Sequence, residues 1–414
     1  MKRFRYSIKY LNRLNPNIMV FIIYGLLYDM MLNVYRPFAV KFLERVGGTE
    51  FHISMFYALP GLVAAAAALP GSILIARKTR KKNITTVFFL VSRAFILTLV
   101  LVPALPMPAR PIVFLAIIGL MNLPEILAQI SLQGFLGMVF DGQVRARAIA
   151  LRNKFGNVIV LIVTLSTGLI ISYFPRTEAE RLICYQVFFV IAFLTGLAEV
   201  AVFRRFNETA PAVDGQNKID MSFYKRVLRD KKFLRFLVAA LIFQFFWQSG
   251  WPISAVYQVS YLKANEIWLA IFAVTSGVGS FATASSIARL IGKRGNAWTL
   301  ALSATAIAVS FSLTALAGTL PVMAVFNILA GIATLGVNTT LLNGLIESSP
   351  DEGRIVYLAV YNMAVNFSAF LSPFVSSILM ANFHIKTAIL IVALMRVFSA
   401  SILWHEFLCG KKAS

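Results

Sequence analysis

Two acidic residues lie deep inside long apolar segments of this sequence, where a charged side chain is costly. Asp29 lies 11 residues into its segment, a depth of roughly 16 Å at a rise of about 1.5 Å per residue, near the middle of a bilayer. Glu125 lies near the middle of another apolar segment. A carboxyl group in a low-dielectric site favours its neutral form, so it can take up a proton on one side and release it on the other. The sequence therefore makes Asp29 and Glu125 candidates for proton coupling.

Each of these carboxyl groups also has a structural alternative. Asp29 lies seven residues before Arg36, about 10 Å along a helix, so a direct bond between them needs a neighbouring helix or water. Arg36 is therefore a candidate either for a counter-charge or for a clamp on an anionic substrate. Glu125 directly follows Pro124 and could instead satisfy backbone groups that the proline frees.

Polar residues recur at helical spacing in the first, fourth, seventh and tenth of the predicted helices. Offsets of 3, 4, 7 and 11 place residues on one helix face. These stripes predict the wall of a substrate cavity, and the candidates are Asn33, Arg36, Asn122, Gln129, Gln133, Gln244, Gln248, Trp251, Gln258, Asn327, Thr334 and Asn338. The glutamines are open to a second interpretation as hydrogen-bonding groups between helices. Trp247 and Trp251 would stack a ring or a cation on a cavity wall, or simply pack.

The elements that must position these residues are membrane-spanning helices. Of 414 residues, 59% are apolar and 14% charged, whereas soluble domains have about 25% charged residues. A span needs about 20 apolar residues. The sequence predicts twelve spans, at residues 18–43, 53–76, 84–105, 112–140, 148–173, 183–203, 233–262, 267–291, 297–317, 320–346, 356–380 and 385–409.

The predicted fold class is an all-α integral membrane protein made of two six-helix halves. Residues 1–203 form the N-terminal bundle, 204–232 a charged cytoplasmic linker, and 233–414 the C-terminal bundle. Matching polar and basic residues recur at similar positions in the two halves, as in transporters built from repeats. Arg93 and Arg396 lie within predicted spans, and we expect them to snorkel or to pair with a helix end.

The net charge of +22 reflects membrane topology rather than nucleic-acid binding. Segments predicted to face the cytoplasm carry 29 Lys and Arg residues, and the opposite segments carry 7. This bias predicts a multi-pass protein of the cytoplasmic (plasma) membrane with both termini in the cytoplasm. The basic loops also predict contact with anionic membrane lipid.

Several classes of enzyme and pump have no support in the sequence. The three histidines are scattered, and there is neither an H-E-x-x-H motif nor a G-x-x-x-x-G-K-[ST] loop. We therefore expect no enzyme activity, no metal site and no cofactor.

The pattern as a whole resembles the major facilitator superfamily. It combines two sets of six helices, a long central loop, basic loops after the second and eighth helices, and polar first helices in each triplet. The resemblance implies a monomer in which the first helices of the triplets line a central cavity and the halves rock to alternate access. A further match is the loop motif G-x-x-x-D-R-x-G-R-R, of which Gly71 and basic residues remain, while its Asp and second Gly are replaced. The candidates for a cytoplasmic gate are Gly71, Arg77, Arg80, Asp141, Arg145, Arg289 and Arg354.

These observations predict a secondary active transporter that moves a small organic solute by alternating access. Proton coupling follows from the two intramembrane acids, and few deep charges beside aromatic and amide groups favour efflux of a neutral or weakly amphipathic solute. The alternative is a lipid or lysolipid transporter of the same fold, whose cavity would be more apolar than the polar stripes indicate.

Overall fold

The computed structural model describes residues 16–76, 81–140, 142–207, 226–350 and 354–412. Within these ranges the chain is helical, with short loops and no β-strand. Twelve helices in the described part are long and apolar enough to cross a membrane. The predicted all-α fold of a multi-pass membrane protein is therefore confirmed.

Six helices precede the central segment that lies outside the described residues. They are α1 (Asn17–Arg45), α2 (Glu50–Ala76), α3 (Lys81–Ala104), α4 (Ala109–Val139), α5 (Gly142–Tyr173) and α6 (Glu178–Phe203). A 3-10 turn, Arg36–Phe38, interrupts α1, where Pro37 lacks an N–H donor. A second 3-10 stretch, Leu99–Ala104, ends α3.

Six more helices follow. They are α7 (Lys231–Tyr261), α8 (Glu266–Arg294), α9 (Asn296–Leu316), α10 (Leu320–Glu347), α11 (Arg354–Asn382) and α12 (Ile385–Lys412). The last turn of α7, Tyr257–Tyr261, is a π-helix. These bounds agree with the predicted spans to within a few residues, except that α5 and α6 begin earlier than predicted.

Several helix ends are fixed by short polar side chains or by glycine. The Asp230 carboxylate accepts hydrogen bonds from the backbone N–H groups of Lys232 and Phe233 at the start of α7. Asn265 caps α8 in the same way. Gly295 then ends α8 with a φ of +87°, a left-handed conformation that glycine adopts without strain.

Contacts between Cα atoms divide the chain into two compact units. One comprises Met1–Gly47 with Ala66–Gln216, and the other comprises Gly48–Ala65 with Asn217–Ser414. The first part of α2 thus groups with the second unit. The predicted linker at 204–232 stays a prediction, since residues 208–225 lie outside the described ranges.

Each unit has its own apolar core. In the first unit, Tyr24, Phe89, Phe135 and Phe203 form a cluster of rings with centroids 5.5–6.0 Å apart. In the second unit, α8 and α10 approach closely at Gly331. A Cβ atom at this position would overlap the backbone of α8. Small residues at such contacts are typical of helix packing in membranes.

Candidate functional site

Arg93 of α3 is buried between two carboxylates from neighbouring helices. Its Nη1 donates to Glu125 Oε2 of α4 at 2.6 Å, while its Nε and Nη2 donate to the two oxygens of Glu199 of α6 at 3.0 and 3.2 Å. The Arg93 side chain is 1% exposed and that of Glu199 0%, but that of Glu125 is 17% exposed. Of the two carboxylates, Glu125 is therefore the accessible one.

Glu125 is also the hub of a wider hydrogen-bond network. Oε1 accepts from the Tyr28 hydroxyl at 3.1 Å and from Gln129 Nε2 at 3.0 Å, and Oε2 accepts from the Ser92 hydroxyl at 2.9 Å. The Arg93 guanidinium lies over the Tyr28 ring, 5.7 Å from its centroid. We call Tyr28, Arg93, Glu125, Gln129 and Glu199 the Arg93 cluster. It joins α1, α3, α4 and α6.

The charges of the Arg93 cluster do not balance when Arg93, Glu125 and Glu199 are all ionised. Two carboxylates then face one guanidinium, which leaves one excess negative charge. An uncompensated charge in a low-dielectric interior is costly, and one proton on a carboxylate removes it. The arrangement is thus chemically able to bind and release a single proton.

Asp29 forms a second ion pair within the first unit. Its Oδ1 accepts a hydrogen bond of 2.6 Å from Arg152 Nη2 of α5, and the same nitrogen donates to the Gly25 carbonyl at 3.3 Å. The counter-charge of Asp29 is therefore Arg152 and not Arg36. Arg36 is exposed in the 3-10 turn of α1, and its side chain makes no hydrogen bond or ion pair with the described residues.

The asparagines of the polar stripes mostly satisfy their own helices. The side-chain amides of Asn33, Asn122 and Asn327 donate to the carbonyls four residues earlier, at 2.8, 2.6 and 2.9 Å. Gln133 and Asn338 are exposed, and Thr334 is half-buried. Gln129 is the stripe amide that joins the Arg93 cluster.

The glutamines of α7 differ in their surroundings. Gln244 and Gln248 are buried, and Gln248 Oε1 accepts a hydrogen bond of 3.1 Å from Ser368 of α11. Gln258 is half-buried in the π-helical turn, where its amide donates to the Ser254 hydroxyl at 3.4 Å. Gln248 thus serves helix packing here.

Three aromatic residues of the second unit form a wall that is partly exposed. The Trp251 ring is 5.9 Å from the Trp247 ring and 6.3 Å from the Tyr57 ring of α2, measured between centroids. Trp251 is 37% exposed, whereas Trp247 is 9% exposed. Trp251 is therefore the more exposed of these two tryptophans of α7.

Arg396 of α12 neither snorkels nor pairs with a helix end, contrary to expectation. It is buried, its Nε donates to the Phe246 carbonyl at 3.2 Å, and its Nη2 donates to the Trp247 carbonyl at 2.5 Å. The guanidinium lies 3.8 Å from the centroid of the Phe311 ring. Arg396 thus braces α7 just before Gly250 and Pro252.

The gate candidates are only partly described. Arg77, Arg80 and Asp141 lie outside the described residues, and the backbone of Arg145 lies in the first turn of α5. Gly71 is buried, and a Cβ atom there would overlap Leu127 of α4.

The gate candidates of the second unit are placed more completely. Arg289 is exposed and bonds Ser285 and Ser286 of its own helix at 3.4 and 3.2 Å. Arg354 donates to the Ser349 carbonyl at 3.4 Å.

Sequence reasoning missed three members of these ion pairs. Arg152 was not singled out from the sequence, and Arg93 was not paired with a carboxylate. Glu199 was not among the candidate residues. The available signal was that each lies within a predicted span, where a charged group is expected to have a partner. No cluster of three or more metal-ligating side chains exists among the described residues.

Twelve described helices that can cross a membrane, with ion pairs between helices of the first unit, define a polytopic membrane protein. The sequence matches the model of the Major Facilitator Superfamily over residues 20–308, and the chain belongs to that superfamily. It is therefore a secondary transporter of this fold, as the resemblance predicted. No curated protein sequence matches it significantly.

Solved structures of the same fold extend over almost the whole chain. A mutant of the nucleoside transporter NupG has a TM-score of 0.74 at 13% identity and covers 94% of this chain and 99% of its own. A POT family transporter in complex with a thioalcohol-conjugated peptide has a TM-score of 0.71 at 11% identity and covers 96% of both chains. A bacterial homologue of the human lysosomal transporter Spinster, in an inward-facing and unoccupied conformation, has a TM-score of 0.65 at 12% identity and covers 93% and 95%. At these identities the likeness concerns the fold.

Proposed function

We propose that this protein is a proton-coupled transporter that moves a small organic solute across the cytoplasmic membrane by alternating access, with both termini in the cytoplasm. The observation that carries the proposal is Arg93 held between Glu125 and Glu199, with Glu125 the more accessible carboxylate. Glu125 is the proton carrier in this proposal. Asp29, which Arg152 neutralises, is an ion-pair residue that holds α1 against α5.

The geometry suggests how a proton on Glu125 reaches the helices. A protonated Glu125 no longer attracts Arg93 as an anion, and its added O–H is a donor where Oε1 or Oε2 was an acceptor. A proton on Oε1 requires the hydrogen bonds from Tyr28 of α1 and Gln129 of α4 to rearrange. A proton on Oε2 requires those from Ser92 and Arg93 of α3 to rearrange. Glu199 keeps Arg93 in place through two hydrogen bonds. Proton binding is therefore linked to the relative positions of α1, α3 and α4.

The proposed substrate is a neutral or weakly amphipathic solute that contains a ring. Trp251 and Tyr57 offer aromatic faces for stacking, and Gln258 and Asn338 offer amides that are not fully buried. Efflux remains our expectation for the direction. Suitable probes are a nucleoside, a dipeptide and a ring-bearing cation. The first two are chosen because one structurally similar protein is a nucleoside transporter and another was solved in complex with a conjugated peptide.

The test uses purified protein in liposomes with an imposed pH gradient. Uptake of uridine, alanyl-alanine and ethidium is measured for the wild type, Glu125→Gln, Asp29→Asn and the control Glu50→Gln, which changes an exposed carboxylate at the start of α2. We expect Glu125→Gln to lose gradient-driven accumulation of the transported probe while still exchanging it across the membrane. The control should behave as the wild type.

Other outcomes have defined meanings. Accumulation by Glu125→Gln at the wild-type level would contradict the assignment of proton coupling to Glu125. Loss of gradient-driven accumulation in Asp29→Asn alone would identify Asp29 as the proton carrier. Movement of a fluorescent lysophospholipid, with no transport of the three soluble probes, would favour the lipid-transporter alternative.

A further inference from the structure

A cavity of about 400 Å³ lies between the start of α3 and the end of α6, away from the Arg93 cluster. Its lining residues are Lys82, Asn83, Thr86, Val87 and Arg204. Among the described residues no carboxylate lines it. A cavity with two cations, an amide and an apolar side has the chemistry to receive a ligand that is anionic at one end.

The two cations retain unused hydrogen-bond donors. Lys82 Nζ donates to the Phe206 carbonyl at 2.7 Å, which fixes the ammonium at the cavity and leaves two of its three N–H donors. The Arg204 side chain is exposed and makes no hydrogen bond or ion pair within the described ranges. Its planar fork of donors matches the geometry of a phosphate group.

An apolar surface continues from the cations along both helices. On α3, Val87 is 55% exposed, and Leu90 and Val91, about one turn further along, are also exposed. On α6, the exposed residues Ala198 and Ala201 precede Arg204 at helical spacing, and their small side chains leave room beside the helix. A chain of methylene groups fits this surface, since it would cover apolar atoms that face the bilayer.

We propose that this cavity binds one anionic phospholipid, with its phosphate on Lys82 and Arg204 and an acyl chain along Val87 and Leu90. Basic pockets between helices on the cytoplasmic side recognise such headgroups, and the distribution of Lys and Arg predicts that this end of α3 and α6 faces the cytoplasm. The apolar continuation distinguishes a lipid from free phosphate, which would use only the cations. A bound lipid here would hold the start of α3, the helix that carries Arg93.

The test is native mass spectrometry of the full chain in detergent with added phosphatidylglycerol, phosphatidylcholine or glycerol phosphate. The variants are Arg204→Gln and Lys82→Gln/Arg204→Gln. The matched control is Lys231→Gln/Lys293→Gln, which removes two exposed cations from the ends of α7 and α8. Arg204→Gln keeps the test decisive if loss of the Lys82 bond to Phe206 disturbs folding.

We expect the wild type and the control to retain phosphatidylglycerol in preference to phosphatidylcholine. The double variant should bind phosphatidylglycerol about thirty-fold more weakly and Arg204→Gln about five-fold more weakly, since each cation near a membrane surface contributes a similar increment. Equal losses in the control would overturn the proposal, because the effect would then be bulk electrostatics. Equal binding of glycerol phosphate and phosphatidylglycerol would also overturn it in favour of a free phosphate ester.

Discussion

Arg152 of α5 donates a hydrogen bond of 2.6 Å to Asp29 of α1, and a glycine on each helix makes room for the pair. A Cβ atom at Gly25 would overlap the Arg152 side chain, and a Cβ atom at Gly156 would overlap the Asp29 carboxylate. Both charged side chains are mostly buried. The two helices are thus shaped around one ion pair.

The first prediction concerns the strength of this ion pair. Asp29→Asn and Arg152→Gln each leave one charge without its partner in a partly buried site, and the double variant leaves none. We expect each single change to lower thermal stability in detergent and the double variant to cost less than their sum, with a coupling of about 1–3 kcal/mol. Additive effects would show that the two side chains have no coupling free energy.

The second prediction concerns the space beside Asp29. Gly156→Ala places a methyl group against the carboxylate, and overpacking of this kind costs about 1–3 kcal/mol. Gly292→Ala is the matched control, because a Cβ atom at Gly292 of α8 meets nothing within 4 Å beyond its chain neighbours and its own helix backbone. There the change should be neutral or stabilising by up to about 1 kcal/mol, as alanine favours a helix over glycine. Similar melting temperatures for the two variants would contradict the close contact.

The spans were predictable from the sequence, whereas the partners across helices were not. Bilayer thickness fixes the length of an apolar helix, so α7 and α10 begin and end close to where hydropathy places them. Periodicity gives the polar face of a helix but not which neighbour that face meets. Arg93 and Glu199 are 106 residues apart in the chain, and Arg152 and Asp29 are 123 apart, so only the packed structure identifies these pairs.

The polar stripes predicted part of the candidate site for the same reason. Glu125 and Gln129 share a face and are bonded to each other, as their spacing of four residues indicates. Tyr28 joins them through its hydroxyl, yet a tyrosine in an apolar segment carries no signal that separates packing from hydrogen bonding. Gln248 lies on a predicted cavity face but bonds to α11, because an amide serves helix packing as well as a ligand.

The third prediction separates the two tryptophans of α7. Trp247 is buried against Phe243, with ring centroids 5.8 Å apart, so Trp247→Ala should cost about 3–5 kcal/mol of stability. Trp251 is partly exposed and contacts Tyr57, so Trp251→Ala should cost less. If the transported solute stacks on this wall, its KM should rise about 2- to 10-fold in Trp251→Ala, because an aromatic pair contributes about 0.5–1.5 kcal/mol.

The measurements for the tryptophans are thermal unfolding and transport of whichever probe the wild type moves. Trp251→Phe is the control, since it retains an aromatic face, and it should keep most of the affinity. An unchanged KM in Trp251→Ala would exclude this tryptophan from the substrate path.

The Arg396 side chain of α12 lies against Gly250 of α7, two residues before Pro252. The guanidinium occupies the space in which a Cβ atom at Gly250 would lie, and the Phe311 ring is the next neighbour, with its Cε2 atom 3.0 Å from that position. Arg396 has no carboxylate among its hydrogen-bond partners in the described part of the chain. Among the described residues, its charge faces backbone carbonyl dipoles and an aromatic ring.

The last prediction follows from that arrangement. Gly250→Ala should lower stability by about 1–3 kcal/mol through overpacking. Arg396→Met should be nearly neutral, because it removes a buried charge and keeps an unbranched apolar side chain that adapts to its site. In the Arg396→Met background the cost of Gly250→Ala should fall, since the methyl group then meets a flexible side chain instead of a fixed guanidinium. Thermal unfolding of the four proteins measures this coupling. If Gly250→Ala costs the same in both backgrounds, the Phe311 ring and not Arg396 limits the space at Gly250.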